Sequence, residues 1–167
     1  MEGMRDIFEK KCSLLITNLV VNGKTVDIFI DETGIIAGIS ENERIRHKGE
    51  AEFIIDGDHA IALPGLVNTH THAAMTLLRG YADDMVLQDW LSQKIWPLEA
   101  HLTGDDVYLG TRLACLEMIR SGTTAFNDMY FFMDDAARAV DESGIRGVLS
   151  YGFIDLFNEE KRETECK

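Results

Sequence analysis

From residue 62 onward the sequence switches regularly between strand-like and helix-like patterns, and this limits the fold more than any other feature. An apolar approach through Pro64-Gly65 leads into a strand over residues 62–72. Residues 102–120 carry Val107, Leu109, Leu113, Leu116 and Ile119 near helical spacing. Thr103 with Asp106 three residues on forms a capping signature, Asp105 suits the positive end of the helix, and Ser121-Gly122 stops it. Residues 123–129 read as a second strand. Residues 134–143 read as a second helix, capped by Asp134 and closed by Gly144, and residues 145–155 as a third strand. Strand, helix, strand, helix, strand implies parallel βαβ units and an α/β class.

Residues 12–61 have another rhythm. Short strands at 13–17, 19–21, 26–30, 35–39 and 52–56 are separated by Asn22-Gly23, Asp31-Glu32-Thr33-Gly34, and a charged loop with Glu41, Glu43, Arg44, Arg46 and Lys48. Such spacing predicts a small antiparallel sheet or half-sandwich, with His47 and His59 as solvated loop residues. The expected division is therefore 1–61 and 62–167.

Composition narrows the partners. A net charge of −13 argues against a nucleic-acid backbone, which calls for basic patches. The apolar run at 14–21 is broken by Thr17-Asn18 and is too short to span a bilayer. The first ten residues mix charges and lack the apolar core of a signal peptide. Cys12, Cys115 and Cys166 are widely spaced and form no Cys-x-x-Cys pair, so neither a zinc knuckle nor a disulfide framework is suggested. Cys115 fits a small buried hydrophobe. A cytoplasmic, reducing location is expected.

The first strand ends in Asn68-Thr69-His70-Thr71-His72. Strand alternation places His70 and His72 on one face with Leu66 and Asn68. Two imidazoles on one face make half a metal site, since catalytic zinc takes about three protein ligands and keeps an open position, and iron also accepts imidazole. Spacing alone fits two partly exposed histidines as well. The apolar approach, the Pro-Gly entry and the polar mouth favour the metal.

The run from Pro64 through His70-Thr71-His72-Ala73-Ala74-Met75 to Arg79-Gly80, with Trp96-Pro97-Leu98-Glu99 and Gly122-Thr123-Thr124-Ala125-Phe126-Asn127-Asp128-Met129-Tyr130, resembles the amidohydrolase superfamily. Within it the pattern is most similar to the deaminases of S-adenosylhomocysteine, 5'-methylthioadenosine and 5'-deoxyadenosine. The resemblance implies a (β/α)8 barrel preceded by part of a β-sandwich. A barrel needs eight strands and roughly 250 residues, and this sequence holds material for three strands. An incomplete barrel is therefore expected, the N-terminal portion of a longer enzyme, because three parallel strands leave an open sheet edge and uncovered apolar faces.

The resemblance further implies a divalent metal, zinc or iron, on His70 and His72, and hydrolytic loss of the 6-amino group of an adenosine-type nucleoside. It gives Glu99 the role of holding the ribose hydroxyls, which suits a carboxylate's capacity to accept two hydrogen bonds. Without the resemblance, Glu99 reads as a surface loop residue. Residues 73–167 contain one histidine, His101, outside any strand, so the remaining ligands and the general acid/base are expected beyond these residues. Pro97 is expected to end the short helix that contains Trp90 and Trp96. Asn127 and Asp128 are expected at the mouth, where Asp128 is either a pocket residue or a loop cap.

Tyr151 stands where some relatives carry an arginine that grips a substrate carboxylate, which favours a short 5' group; Arg162 is an alternative cation. A homo-oligomer is expected of the complete protein. Alternatives are a triazine-type chlorohydrolase or guanine deaminase of the same superfamily, or a non-catalytic subunit that binds a partner chain through its open sheet edge.

Overall fold

The computed structural model describes residues 12–41 and 51–152. They group into two compact units that meet in sequence at Pro64 and Gly65. The charged loop after Glu41, His47, Arg162, Cys166 and the end of the third strand beyond Gly152 lie outside the described residues. Among the described residues no helix is long and apolar enough to cross a membrane.

The first unit is a four-stranded sheet in the order β3-β2-β1-β4, with β1 at Cys12–Val21, β2 at Lys24–Asp31, β3 at Ile36–Glu41 and β4 at Phe53–Asp56. Tight turns make β1, β2 and β3 antiparallel neighbours, whereas β4 pairs with β1 in parallel, Leu14 opposite Phe53. The expectation of an antiparallel sheet is thus corrected to a mixed one. Turn signals fix the direction of hairpins, and the longer connection before β4 carries none.

The two strands expected at 13–17 and 19–21 are one strand with a bulge. The pairing shifts between Ile16 and Leu19, where Asn18 takes a left-handed φ of 56°. Its N–H donates to Asp27 Oδ1 and its Nδ2 to Asp56 Oδ1, both at 2.9 Å, so the irregular backbone is held by side chains of two neighbouring strands. Leu19, Val26 and Ile28 form the core of this unit. His59 is exposed, as expected.

The second unit is a three-stranded parallel sheet, β5 (Leu66–Thr71), β6 (Thr123–Tyr130) and β7 (Arg146–Tyr151), in that order. A 3-10 helix at Ala73–Leu78 follows β5. Next come α1 (Leu87–Trp90), a π-helical turn (Leu91–Ile95) and α2 (Trp96–Glu99) without a break. Pro97 therefore does not end the helix. It sits in the first turn of α2, directly after the π turn that carries the helix on from α1.

Helix α3 (Gly104–Arg120) has the expected cap: Asp106 N–H donates to Thr103 Oγ1 at 3.3 Å and Thr103 N–H to Asp106 Oδ2 at 2.9 Å. Helix α4 (Met133–Ser143) does not start on an Asp134 cap. Phe132, in a left-handed conformation, precedes it, and Asp134 lies in its first turn, where a carboxylate still suits the helix dipole. Gly144 closes it with φ 71°, as its sequence position foretold.

The face that α3 buries is not the one its largest side chains occupy. Leu109, Leu113, Leu116 and Ile119 are exposed, and Val107, Gly110, Thr111, Ala114, Cys115 and Met118 are buried. Small residues line the buried face because the 3-10 helix packs directly on it. Ala73, Ala114, Cys115, Met118, Phe126, Val140 and Ile145 form one core cluster; Ala74, Val107, Tyr130, Met133 and Ala136 form the other. The two alanines after His72 thus enter both. Arg79 Nη1 and Nη2 donate to Glu117 Oε1 and Oε2 at 3.0 and 2.7 Å, tying the end of the 3-10 helix to the exposed side of α3.

The 3-10 helix meets α3 closely at Gly110, where a Cβ would lie 2.5 Å from the Ala74 carbonyl oxygen. Alanine normally favours a helix over glycine by about 1 kcal/mol. Here overpacking of about 1–3 kcal/mol opposes that gain. Gly110→Ala is expected to lower the urea unfolding midpoint; a raised midpoint would show that the 3-10 helix does not rest on this residue.

Candidate metal and substrate site

The site is assembled where β5 runs out beside β6. The parallel pairing passes from Asn68 opposite Phe126 to Thr71 opposite Asp128, so β5 gains one residue over β6 across Thr69 and His70. Asn68 Oδ1 accepts the His70 N–H at 3.2 Å and stabilises this irregular segment. His72 leaves the strand and becomes the residue before the 3-10 helix, with φ −122° and ψ 76°. Even so, the rings of His70 and His72 stay together, with centroids 5.2 Å apart and planes at 79°.

Three consecutive residues of β6 hold this arrangement by different means. Met129 presents its carbonyl oxygen 2.7 Å from His72 Nδ1. A carbonyl can only accept, so Nδ1 is the donor, which in the neutral ring leaves the Nε2 lone pair for a metal. Asp128, 1% exposed, accepts the Ala73 N–H on Oδ1 at 3.0 Å and fixes the backbone just after His72. Burial pushes the Asp128 carboxyl above the usual carboxylate range, against the opposing pull of the Ala73 and Met129 N–H groups and of His72. Its Oδ2 has no hydrogen-bond partner among the described residues.

Tyr130 is the third. Its hydroxyl donates to Glu99 Oε1 at 2.7 Å, and its ring centroid lies 6.2 Å from that of His72. Burial, followed by the neighbouring Glu99 carboxylate, raises the pKa of the Tyr130 phenol, which keeps it protonated as a donor. Glu99 is half-buried at the end of α2, not in a loop.

Strand alternation sorts β6 differently from the expectation that Asn127 and Asp128 both face the mouth. Phe126, Asp128 and Tyr130 are buried on one face; Asn127 and Met129 are exposed on the other. Tyr130 and the Met129 carbonyl were not anticipated. The signal that could have found Tyr130 is its period-2 relation to the apolar Phe126.

The other candidates are placed as follows. The Tyr151 hydroxyl accepts the Phe132 N–H at 3.2 Å, and so props the left-handed residue that leads into α4. His101 is exposed between α2 and α3. Arg162 lies outside the described residues. Among the described residues no group of three or more His, Cys, Asp or Glu side chains gathers into a metal site. The histidine pair, with its rings 5.2 Å apart and His72 Nδ1 turned to the Met129 carbonyl, fits a divalent metal as two of its ligands.

Residues 61–167 match the model of the amidohydrolase family. The chain is 71% identical over 162 residues to a 5'-deoxyadenosine deaminase of Methanoregula boonei, an alignment covering 97% of this chain and 37% of the relative. It is 58% identical over 155 residues to one from Methanocaldococcus jannaschii, covering 92% and 36%. Among solved structures, an adenosine deaminase from Xanthomonas campestris with bound zinc is similar at a TM-score of 0.72 and 37% identity, over 82% of this chain and 33% of that one. This chain therefore spans well under half the length of the curated relatives it matches.

The Asp128–Ala73 bond has a measurable consequence. Asp128→Ala leaves a buried N–H without an acceptor, at a cost of about 1–3 kcal/mol. Asp128→Asn retains a carbonyl oxygen and is expected to cost less. Chemical denaturation of both variants checks this; equal stabilities would show that the carboxylate does not hold the residue after His72.

Proposed function

The chain belongs to the amidohydrolase family, and we propose that it is the N-terminal portion of a metal-dependent deaminase acting on adenosine-type nucleosides. The reaction replaces the 6-amino group of adenine with an oxygen from water and releases ammonia. The observation that carries this reading is Glu99, held by Tyr130 within the same cluster as the histidine pair. A half-buried carboxylate beside a half-formed metal site suits a substrate with a vicinal diol at one end and a reacting ring carbon at the other.

His70 and His72 would hold the metal, zinc by preference over iron. When bound, the metal supplies a water-derived nucleophile at neutral pH. Met129 and Asp128 keep His72 in the orientation that coordination needs. Glu99 receives the ribose hydroxyls and so sets the distance between sugar and base. The described residues offer no further ligand beside the histidines, and we assign the remaining ligands and the proton-transferring group to the rest of the protein.

The exposed apolar side chains of the parallel sheet support this division. Leu66, Val67 and Val148 are 62, 64 and 66% exposed. Parallel sheets bury both faces, so we propose that further strands and helices of a (β/α)8 barrel cover these residues. Gel filtration of residues 1–167 alone checks this: self-association or aggregation is expected, and a stable soluble monomer would argue against an unfinished barrel.

Glu99 favours a ribosyl substrate over the guanine or triazine substrates of the alternative reading. Tyr151 brings no cation for a substrate carboxylate, and its hydroxyl accepts the Phe132 N–H. Among 5' substituents this favours 5'-deoxyadenosine and 5'-methylthioadenosine over S-adenosylhomocysteine.

Incubated with 5'-deoxyadenosine, the complete metal-loaded protein is expected to release ammonia and shift the absorbance from adenine to hypoxanthine, and chelation should abolish the change. Absence of turnover in metal-replete protein would sink the reading. Glu99→Gln is expected to raise KM for nucleosides about tenfold, the scale of one charge-assisted hydrogen bond, with a smaller effect on free adenine. Equal effects on both would remove Glu99 from the sugar.

A further inference from the structure

We propose that Tyr130 is a positioning residue for nucleoside specificity, presenting Glu99 to the ribose from a fixed point beside His72. The inference rests on the deaminase reading above and goes beyond it by naming the residue that couples sugar recognition to the metal site.

Glu99 ends a short helix, and a glutamate there has several rotamers open to it. The Tyr130 hydroxyl, 2.7 Å from Oε1, selects one of them. Tyr130 itself has little freedom. It is 4% exposed, and its ring is packed in the core cluster with Ala74, Val107, Met133 and Ala136. Phe131 adds a ring contact at 5.2 Å. The phenol therefore transmits the position of the sheet and helix core to a side chain 31 residues earlier in sequence.

The arrangement also leaves Glu99 with capacity. A carboxylate has about four acceptor sites, and the phenol takes one, so Oε2 and the second lone pair of Oε1 are left for two neighbouring hydroxyls. With the Tyr130 and His72 ring centroids 6.2 Å apart, the same buried ring flanks both groups. A substrate diol on Glu99 is thereby placed at a set distance from the metal-binding histidine. Preorganisation of this kind affects the binding of substrates that use the diol and leaves others untouched.

Tyr130→Phe removes the hydroxyl and keeps the ring in its cluster. In the complete, metal-loaded protein it is expected to raise KM for an adenine nucleoside about tenfold and to change kcat by less than about twofold, on the scale of a lost hydrogen bond to a charged group. With the matching 2',3'-dideoxynucleoside the penalty should vanish, because no diol reaches Glu99. Combining Tyr130→Phe with Glu99→Gln should be no worse than Glu99→Gln alone.

A merely structural role for Tyr130 predicts the same loss on both nucleosides, and that result, or no loss on either, overturns the proposal. The ratio is read on whichever adenine nucleoside the wild type turns over. Active wild type with equal losses therefore refutes Tyr130 alone, whereas wild type inactive on every adenine nucleoside refutes the parent reading and this one together.

Discussion

The parallel pairing of β5 with β6 is the constraint on which the site depends. It sets the end of the histidine strand against residues 128–130, and those three residues then act through a carboxylate, a backbone carbonyl and a phenol. None of the three contacts is local in sequence. Each spans 31 to 57 residues, so the site exists only once the first βαβ unit has closed. The tight seat of Ala74 on Gly110 belongs to the same closure, because it brings the chain after His72 down onto α3. Packing and function here share one set of atoms.

That closure explains an apparent contradiction in the burial pattern. The side of the sheet toward α3 and α4 is densely packed around Phe126, Asp128 and Tyr130, while large apolar side chains elsewhere on the strands meet solvent. A buried carboxylate on the packed side is costly unless its oxygens are satisfied. Asp128 has one oxygen on the Ala73 N–H and the other without a hydrogen-bond partner among the described residues, next to a histidine that would carry a metal's charge. A nearby cation lowers the cost of an ionised carboxylate.

The sequence was most legible where a short motif met a strong period. The β5, β6 and β7 strands, the Thr103–Asp106 cap, the Gly144 stop and the His70–His72 pair all follow from local rules. It was least legible where size misled. Leu109, Leu113, Leu116 and Ile119 mark a helix but not its buried face, because the contact with the 3-10 helix demands glycine, alanine, threonine and cysteine instead. Asp134 looked like a cap, yet Phe132 precedes the helix, its N–H bonded to Tyr151 from the adjacent strand. Glu99 was singled out through resemblance alone. Its partner Tyr130 lies across the unit, and no window of sequence contains both.

The π turn at Leu91–Ile95 has a geometric consequence for that partnership. Each residue of an α-helix advances the side-chain direction by about 100° around the axis. A π turn absorbs one additional residue without ending the helix, so everything after it is rotated relative to an uninterrupted α-helix. Glu99 comes four residues after Ile95, and its azimuth toward Tyr130 therefore depends on the π turn directly before α2. In a regular helix of the same length, the carboxylate would sweep roughly a quarter of a circle away from the phenol. The alignment of the two groups is a matter of helical phase, fixed one turn upstream of the side chain that uses it.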